Sequence, residues 1–169
     1  MRLLLALATA ISLTALGAHS ETFPTVTSDD LNGNSKTLPA DLPGDPTIVF
    51  IAYKQDQQPD VNTWVYGLGL DPSQGAEFVE IPIVGRAARL VRGIVNNGMK
   101  SGIVDTDMRA RTITLYESVS LLNDPLGFRG RDQIRVLLVT QAGEVLWSTS
   151  GVATDAGIAD LKAFYQENQ

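Results

Sequence analysis

The sequence predicts one α/β domain behind an N-terminal leader, and three stretches carry that prediction. Thr47-Ile48-Val49-Phe50-Ile51-Ala52-Tyr53 is uncharged and rich in β-branched and aromatic residues, the composition of a strand buried on both faces. The polar loop Lys54-Gln55-Asp56-Gln57-Gln58 follows, and Pro59 stands where a helix begins, since first-turn positions need no amide donor. Near the other end, Ile134–Thr140 and Glu144–Ser148 are two apolar runs joined by Gln141-Ala142-Gly143, a three-residue hairpin loop ending in glycine. A buried strand that feeds a helix N-terminus is a favoured place for chemistry in α/β proteins.

The chain opens with Met1-Arg2, an apolar run from Leu3 to Leu16, and then Gly17-Ala18-His19-Ser20. A positive start, a short apolar stretch and small residues three and one before a cut after Ser20 indicate a secretory signal peptide over residues 1–20. A membrane anchor is the alternative, but a spanning helix wants roughly 20 apolar residues and this run is shorter. Residues 21–169 are then expected to form a single exported domain, periplasmic or secreted, with no membrane span after cleavage.

Basic residues number 13 against 19 acidic, a formal charge of −6, and without Arg2 of the leader the expected domain stands at about −7 (12 − 19), a poor candidate for nucleic acid or anionic lipid surfaces. There is no cysteine, and the one histidine, His19, lies in the leader. Thiol nucleophiles, disulfides, thiolate–metal sites, Ser-His-Asp triads and His-ligated zinc are thereby excluded from the domain. Catalysis would have to rest on carboxylates, arginines, tyrosines or the lysines Lys36, Lys54, Lys100 and Lys162.

Along the chain, Phe23, Val26 and Leu31 are inward candidates, and Leu31-Asn32-Gly33-Asn34 turns a hairpin into Lys36-Thr37-Leu38. Pro39, Pro43, Gly44 and Pro46 mark an irregular approach to the central strand. After Pro59, the residues Val61, Trp64, Val65 and Leu68 share one helical face, and Gly67 or Gly69 ends that helix. Phe78–Val84 is a strand shortened by Pro82. Arg86–Asn97 is expected as an amphipathic helix with Ala87, Leu90, Val91, Ile94 and Val95 inward and Arg86, Arg89 and Arg92 outward, stopped by Gly98. Thr112–Tyr116 alternates as a half-buried strand, Ser118–Arg131 is loop-rich, and Ala156–Gln166 is a closing helix with Ile158, Leu161 and Phe164/Tyr165 inward.

This order, together with Asp30-Leu31-Asn32-Gly33, Thr37-Leu38-Pro39 and Leu42-Pro43-Gly44 before the first core strand, resembles the opening of exported thiol-disulfide oxidoreductases and peroxiredoxins. Val136-Leu137-Leu138-Val139-Thr140, Gly143-Glu144-Val145-Leu146-Trp147 and Gly151 look like the same superfamily's terminal hairpin and the glycine before its last helix. The resemblance is to the thioredoxin-like superfamily over about residues 22–167. Among its branches the chain is most similar to the small exported or mitochondrial thioredoxin-like proteins that include an ATP-synthase assembly factor. The resemblance implies a central mixed sheet with helices on both faces and an N-terminal β-hairpin. The redox members carry Cys-x-x-Cys just after the first core strand, and matching Phe50-Ile51-Ala52 to that pattern puts Gln55 and Gln58 where the cysteines would stand. The superfamily's cis-proline before the penultimate strand would fall at Asp132 or Gln133. Both halves of the redox centre are missing, so disulfide exchange does not carry over.

Other constellations have plainer readings. Asp30-x-Asn32-x-Asn34 with Asp41 partly matches a calcium loop but has Ser35 where glycine is needed, so a polar β-turn is expected. Asp105-Thr106-Asp107 reads as a solvated loop pairing with Arg109 and Arg111 rather than a cation site. Gly67-x-Gly69 lacks a third glycine and is no dinucleotide fingerprint. Tyr53, Lys54 and Asp56 are a candidate acid–base group whose simpler reading is a strand end with two hydrated charges. No metal or cofactor is expected. The function expected is a non-redox module binding a protein or peptide partner in the cell envelope, through Lys54, Gln55, Asp56, Gln57, Gln58, Arg129 and Arg131. The alternative is an enzyme using carboxylates or a bound cofactor.

Overall fold

The computed structural model describes residues 21–71 and 77–168; the proposed leader lies outside the described residues. The chain forms β1 (Val26–Asp29), β2 (Ser35–Leu38), β3 (Thr47–Ala52), α1 (Gln58–Leu68), β4 (Phe78–Pro82), α2 (Arg92–Gly102), α3 (Thr106–Arg111), α4 (Ser120–Asn123), β5 (Arg135–Val139), β6 (Val145–Ser150) and α5 (Asp155–Glu167). Tight 3-10 turns at Gln55–Gln57 and Arg86–Val91 lead into α1 and α2. No described helix is long and apolar enough to cross a membrane.

The central sheet has the order β4-β3-β5-β6, with β3 parallel to β4 and antiparallel to β5, and β5 antiparallel to β6. The expected mixed sheet and the separate β1–β2 hairpin are therefore both present. Val49 and Ile51 point to one face, where Phe23, Val26, Leu38, Ile113, Leu122 and Leu126 cover them. Ile48 and Phe50 point to the other, against Val61 and Trp64 of α1 and Leu161 of α5. One face thus carries α1 and α5, and the other carries the hairpin, α4 and the segment 112–116.

Local chemistry fixes the ends. Asp30 accepts from Asn34 N at 2.9 Å and Asn34 Nδ2 at 3.0 Å, which makes it the clasp of the β1–β2 turn. Asp41 accepts from Thr37 N at 2.6 Å, and Asp105 caps α3 by accepting from Met108 N at 2.9 Å. Pro59 occupies the first turn of α1, and Gly69 ends that helix with φ 68°, a backbone conformation that penalises a β-carbon. Gly143, φ 92°, turns the β5–β6 hairpin, and its carbonyl accepts from Phe23 N at 2.8 Å.

Three expectations are corrected. The 86–97 stretch is not one inward-packed helix: Arg86–Val91 is 3-10, α2 runs through Gly98 to Gly102, and neither piece buries a residue. Leu90 is 95% exposed and Ile94 74%, so these two expected inward residues face solvent, while Val95 is half-buried. Thr112–Tyr116 is buried throughout rather than alternating, because β4 and the hairpin enclose it; Ile113 N donates to Glu80 O and Leu115 N to Pro82 O, each at 2.9 Å. Phe164 is 40% exposed, leaving Ile158, Leu161 and Tyr165 as the inward residues of α5.

Trp64 ties the helical layer together. It is 1% exposed, meets Trp147 edge-on with centroids 6.0 Å apart, and donates Nε1–H to Gly151 O at 2.8 Å. Trp64→Ala should cost about 3–5 kcal/mol, measured as a lowered urea midpoint with an unchanged slope. A cost below about 1 kcal/mol would contradict this packing role.

Candidate functional site

β3 delivers the chain to the surface at Tyr53, where the first two amides beyond the strand would otherwise lose partners. Gln57 supplies them. Its side chain is buried, its Oε1 accepts from Tyr53 N at 2.8 Å and Lys54 N at 3.3 Å, and its Nε2 donates to Arg131 O at 2.9 Å. A single amide thereby joins the 54–58 loop to the segment preceding β5. Lys54 Nζ meets Asp132 Oδ1 at 2.8 Å across the same seam. The Lys54 hydrogen bond and charge hold the Asp132 carboxyl below its usual range.

The structure thus places the 54–58 loop and residues 131–132 side by side at the C-terminal end of β3. Lys54, Gln55, Asp56, Gln58, Arg129 and Arg131 are exposed there. Gln57 was expected on that rim and is instead inside it, with both ends of its amide engaged. Gln58 Nε2 lies 3.3 Å from Asn62 Oδ1 and 3.2 Å from Glu80 Oε2. A shallow cleft of about 330 Å³ continues the rim between α4 and Gly130, lined by Asn123, Phe128, Arg129 and Arg131 among others.

Several contributors escaped sequence reading. Tyr53 Oη donates to Asn123 Oδ1 at 2.6 Å, and Asn123 Nδ2 donates to Gly130 O at 2.8 Å, so one buried pair fixes the cleft floor. Burial raises the Tyr53 phenol above its ordinary range, opposed by the nearby Arg135 guanidinium and the Asn123 hydrogen bond. Arg135 packs over the Phe128 ring at 4.9 Å and donates to Arg129 O at 2.6 Å, holding the backbone beneath the exposed Arg129. Tyr53, Lys54 and Asp56 do not form an acid–base group: Tyr53 turns to Asn123 and Lys54 to Asp132.

Glu80 is a second carboxyl near this end with a shifted pKa. It sits on β4 beneath the start of α1, 7% exposed, and burial pushes its pKa up against the opposing Gln58 hydrogen bond. No sequence pattern marked it, since Glu80 reaches Gln58 only through the β3–β4 pairing.

No protein-family model matches this chain, and no curated protein matches it. Solved structures do. A candidate electron transfer protein from Aquifex aeolicus superposes with TM-score 0.57 at 17% identity, covering 86% of this chain and 96% of that one. The pneumococcal exposed lipoprotein thioredoxin from Streptococcus pneumoniae gives 0.56 at 11% identity, covering 85% and 99%. BsSco, a member of the Sco family of cytochrome c oxidase assembly proteins, gives 0.54 at 15% identity, covering 87% and 95%. At such identities the likeness concerns the fold. The chain has a thioredoxin-like fold and contains no cysteine.

Two outcomes test the site. Gln57→Ala should destabilise the protein by about 1–3 kcal/mol, because backbone donors at Tyr53 and Lys54 lose their acceptor, read by urea denaturation. Glu80 has a folded pKa above its unfolded value, so its stabilising contribution is complete below about pH 4.3. It is lost as pH rises through the folded pKa. Wild-type stability should therefore fall relative to Glu80→Gln between acid and neutral pH; parallel stability curves would contradict the shift.

Proposed function

We propose that this is an exported, non-redox thioredoxin-like module that binds an extended segment of a protein partner in the cell envelope, in an accessory or assembly role. The observation that carries this reading is the seam made by Gln57–Arg131 and Lys54–Asp132, which joins two loops into one polar rim at the end of a buried sheet. Exposed amides at Gln55 and Gln58, cations at Arg129 and Arg131, and the adjoining cleft supply donors and acceptors for a peptide backbone without a group that reacts with it. The Cys-free composition supports binding over thiol exchange, because no residue of this sequence can form the mixed-disulfide intermediate. Export rests on the leader-like residues 1–20 and is in keeping with the lipoprotein neighbour.

Crosslinking followed by recovery from envelope extract tests the site. Lys54→Ala combined with Arg131→Ala should cut partner recovery several-fold while leaving the melting temperature nearly unchanged, both residues being exposed. Undiminished recovery from that variant, with loss from Arg86→Ala and Arg89→Ala, would move the site off the rim. In a separate assay, the purified protein should reduce insulin no faster than buffer; thiol-dependent turnover free of contaminants would overturn the non-redox reading.

A further inference from the structure

Three consecutive carbonyls beside the rim are tied down from inside the protein. Arg129 O accepts from Arg135 Nη2 at 2.6 Å, Gly130 O from Asn123 Nδ2 at 2.8 Å, and Arg131 O from Gln57 Nε2 at 2.9 Å. The donors come from β5, α4 and the turn before α1, so three separate elements fix one short stretch of backbone. With the negative ends of these peptide groups turned inward, their positive ends are left over. The amides of Arg129, Gly130 and Arg131 donate to no acceptor among the described residues. Gly130 has φ 71°, and a left-handed residue within a run of free amides is a feature of backbone anion nests.

The side chains add charge of the same sign. Arg129 and Arg131 are exposed, line the cleft with Phe128, and make no ion pair among the described residues. Arg135 supports this wall from inside: it is 7% exposed, lies 4.9 Å over the Phe128 ring, and donates to Ser150 Oγ and Arg129 O. No carboxylate among the described residues pairs with it, and its Nε is a buried donor without an acceptor. A buried charge is costly unless a group of opposite sign compensates it. The nearby carboxylates do not serve. Lys54 holds Asp132, Glu21 lies against Gly127, and Asp124 lines the cleft without pairing with an arginine.

Free amides, two exposed guanidiniums and one buried guanidinium thus favour negative charge at the same place, in a domain whose own charge is about −7 (12 − 19). Salt screens the buried charge less than the exposed ones, so it acts on the cleft at physiological ionic strength. Arginine forks match the planar, two-oxygen geometry of a carboxylate. Asp124 tells against a dianion such as phosphate, because it repels each further negative charge in the cleft. We propose that the cleft is a carboxylate subsite, in which Arg129, Arg131 and the amides between them hold a carboxylate of the partner segment, from a side chain or a chain terminus. The inference rests on the peptide-binding reading of the rim and names what the partner offers there. Arg135 is a positioning residue: it fixes the Arg129 backbone and supplies positive charge from inside.

Backbone amides and arginine Nε–H groups give separate NMR signals on the full chain, so the subsite is readable without a known partner. Acetyl-Ala-Glu-Ala-amide should shift the amides of Arg129, Gly130 and Arg131 and the Nε–H of Arg135. Acetyl-Ala-Gln-Ala-amide should shift none of them. The same glutamine peptide with a free C-terminus tells a chain-terminal carboxylate from a side-chain one. Arg129→Gln with Arg131→Gln should weaken the response about fivefold, and Asp124→Asn should strengthen it about twofold, both with an unchanged melting temperature. Equal shifts from the amidated glutamine peptide, no shift from either carboxylate, or a stronger response to inorganic phosphate would overturn the proposal. Failure of the underlying reading shows elsewhere, as partner recovery undiminished by Lys54→Ala with Arg131→Ala, whatever the peptides do to these signals.

Discussion

The structure depends on burying β3 on both faces. Thr47 to Ile51 are 5% exposed or less, so every neighbour is placed by the need to cover alternate side chains and satisfy both edges. The parallel partner β4 and the antiparallel partner β5 take the edges. Trp64 and Leu161 take one face, and the N-terminal hairpin with Leu122 and Leu126 takes the other. Thr47 begins the strand with its hydroxyl bonded to Gly44. At the opposite end the ladder runs out at Tyr53, and Gln57 folds back to finish it.

That finish shapes the site. In a thioredoxin-like fold the start of α1 is where a lowered thiolate pKa would be useful, because helix amides and the dipole favour negative charge there. Here the same place holds neutral amides: one is consumed internally, and two stand at the surface. Beneath them lies a carboxyl that burial keeps in its neutral form more readily than usual. The arrangement retains an exposed polar rim over a rigid support without a nucleophile, which is a geometry suited to reversible recognition.

Local patterns made much of this legible. The apolar run of β3, the proline in the first turn of α1, the Asn-Gly turn and the glycine-ended hairpin each encode their element within a few residues, and all four occur as expected. Side-chain partners separated by the fold were not legible: Asp132 for Lys54, Asn123 for Tyr53 and Glu80 for Gln58 meet only after the sheet has formed. The α2 stripe failed for a different reason. The periodicity assumed one α-helix throughout, but Arg86–Val91 is 3-10, so Leu90 and Ile94 end at the surface while Val95 is half-buried beside the Tyr116-bonded Asn96. Thr112–Tyr116 misled because alternation implies one wet face only while the segment lies at an open edge, and here the hairpin closes over it.

The pairing of β3 with β5 has a consequence for how the chain acquires its shape. β3 lies in the first third of the sequence, and its second edge is filled only by a strand from the last quarter. The bond from Phe23 to Gly143 joins still more distant positions. The N-terminal part can form the β1–β2 hairpin and the β3–α1–β4 unit by itself, but the sheet's centre stays half-paired until the C-terminal strands join it. Non-local closure of this kind makes folding slow relative to helical bundles of the same size. The commitment to the folded state therefore waits for the terminal hairpin to dock on β3.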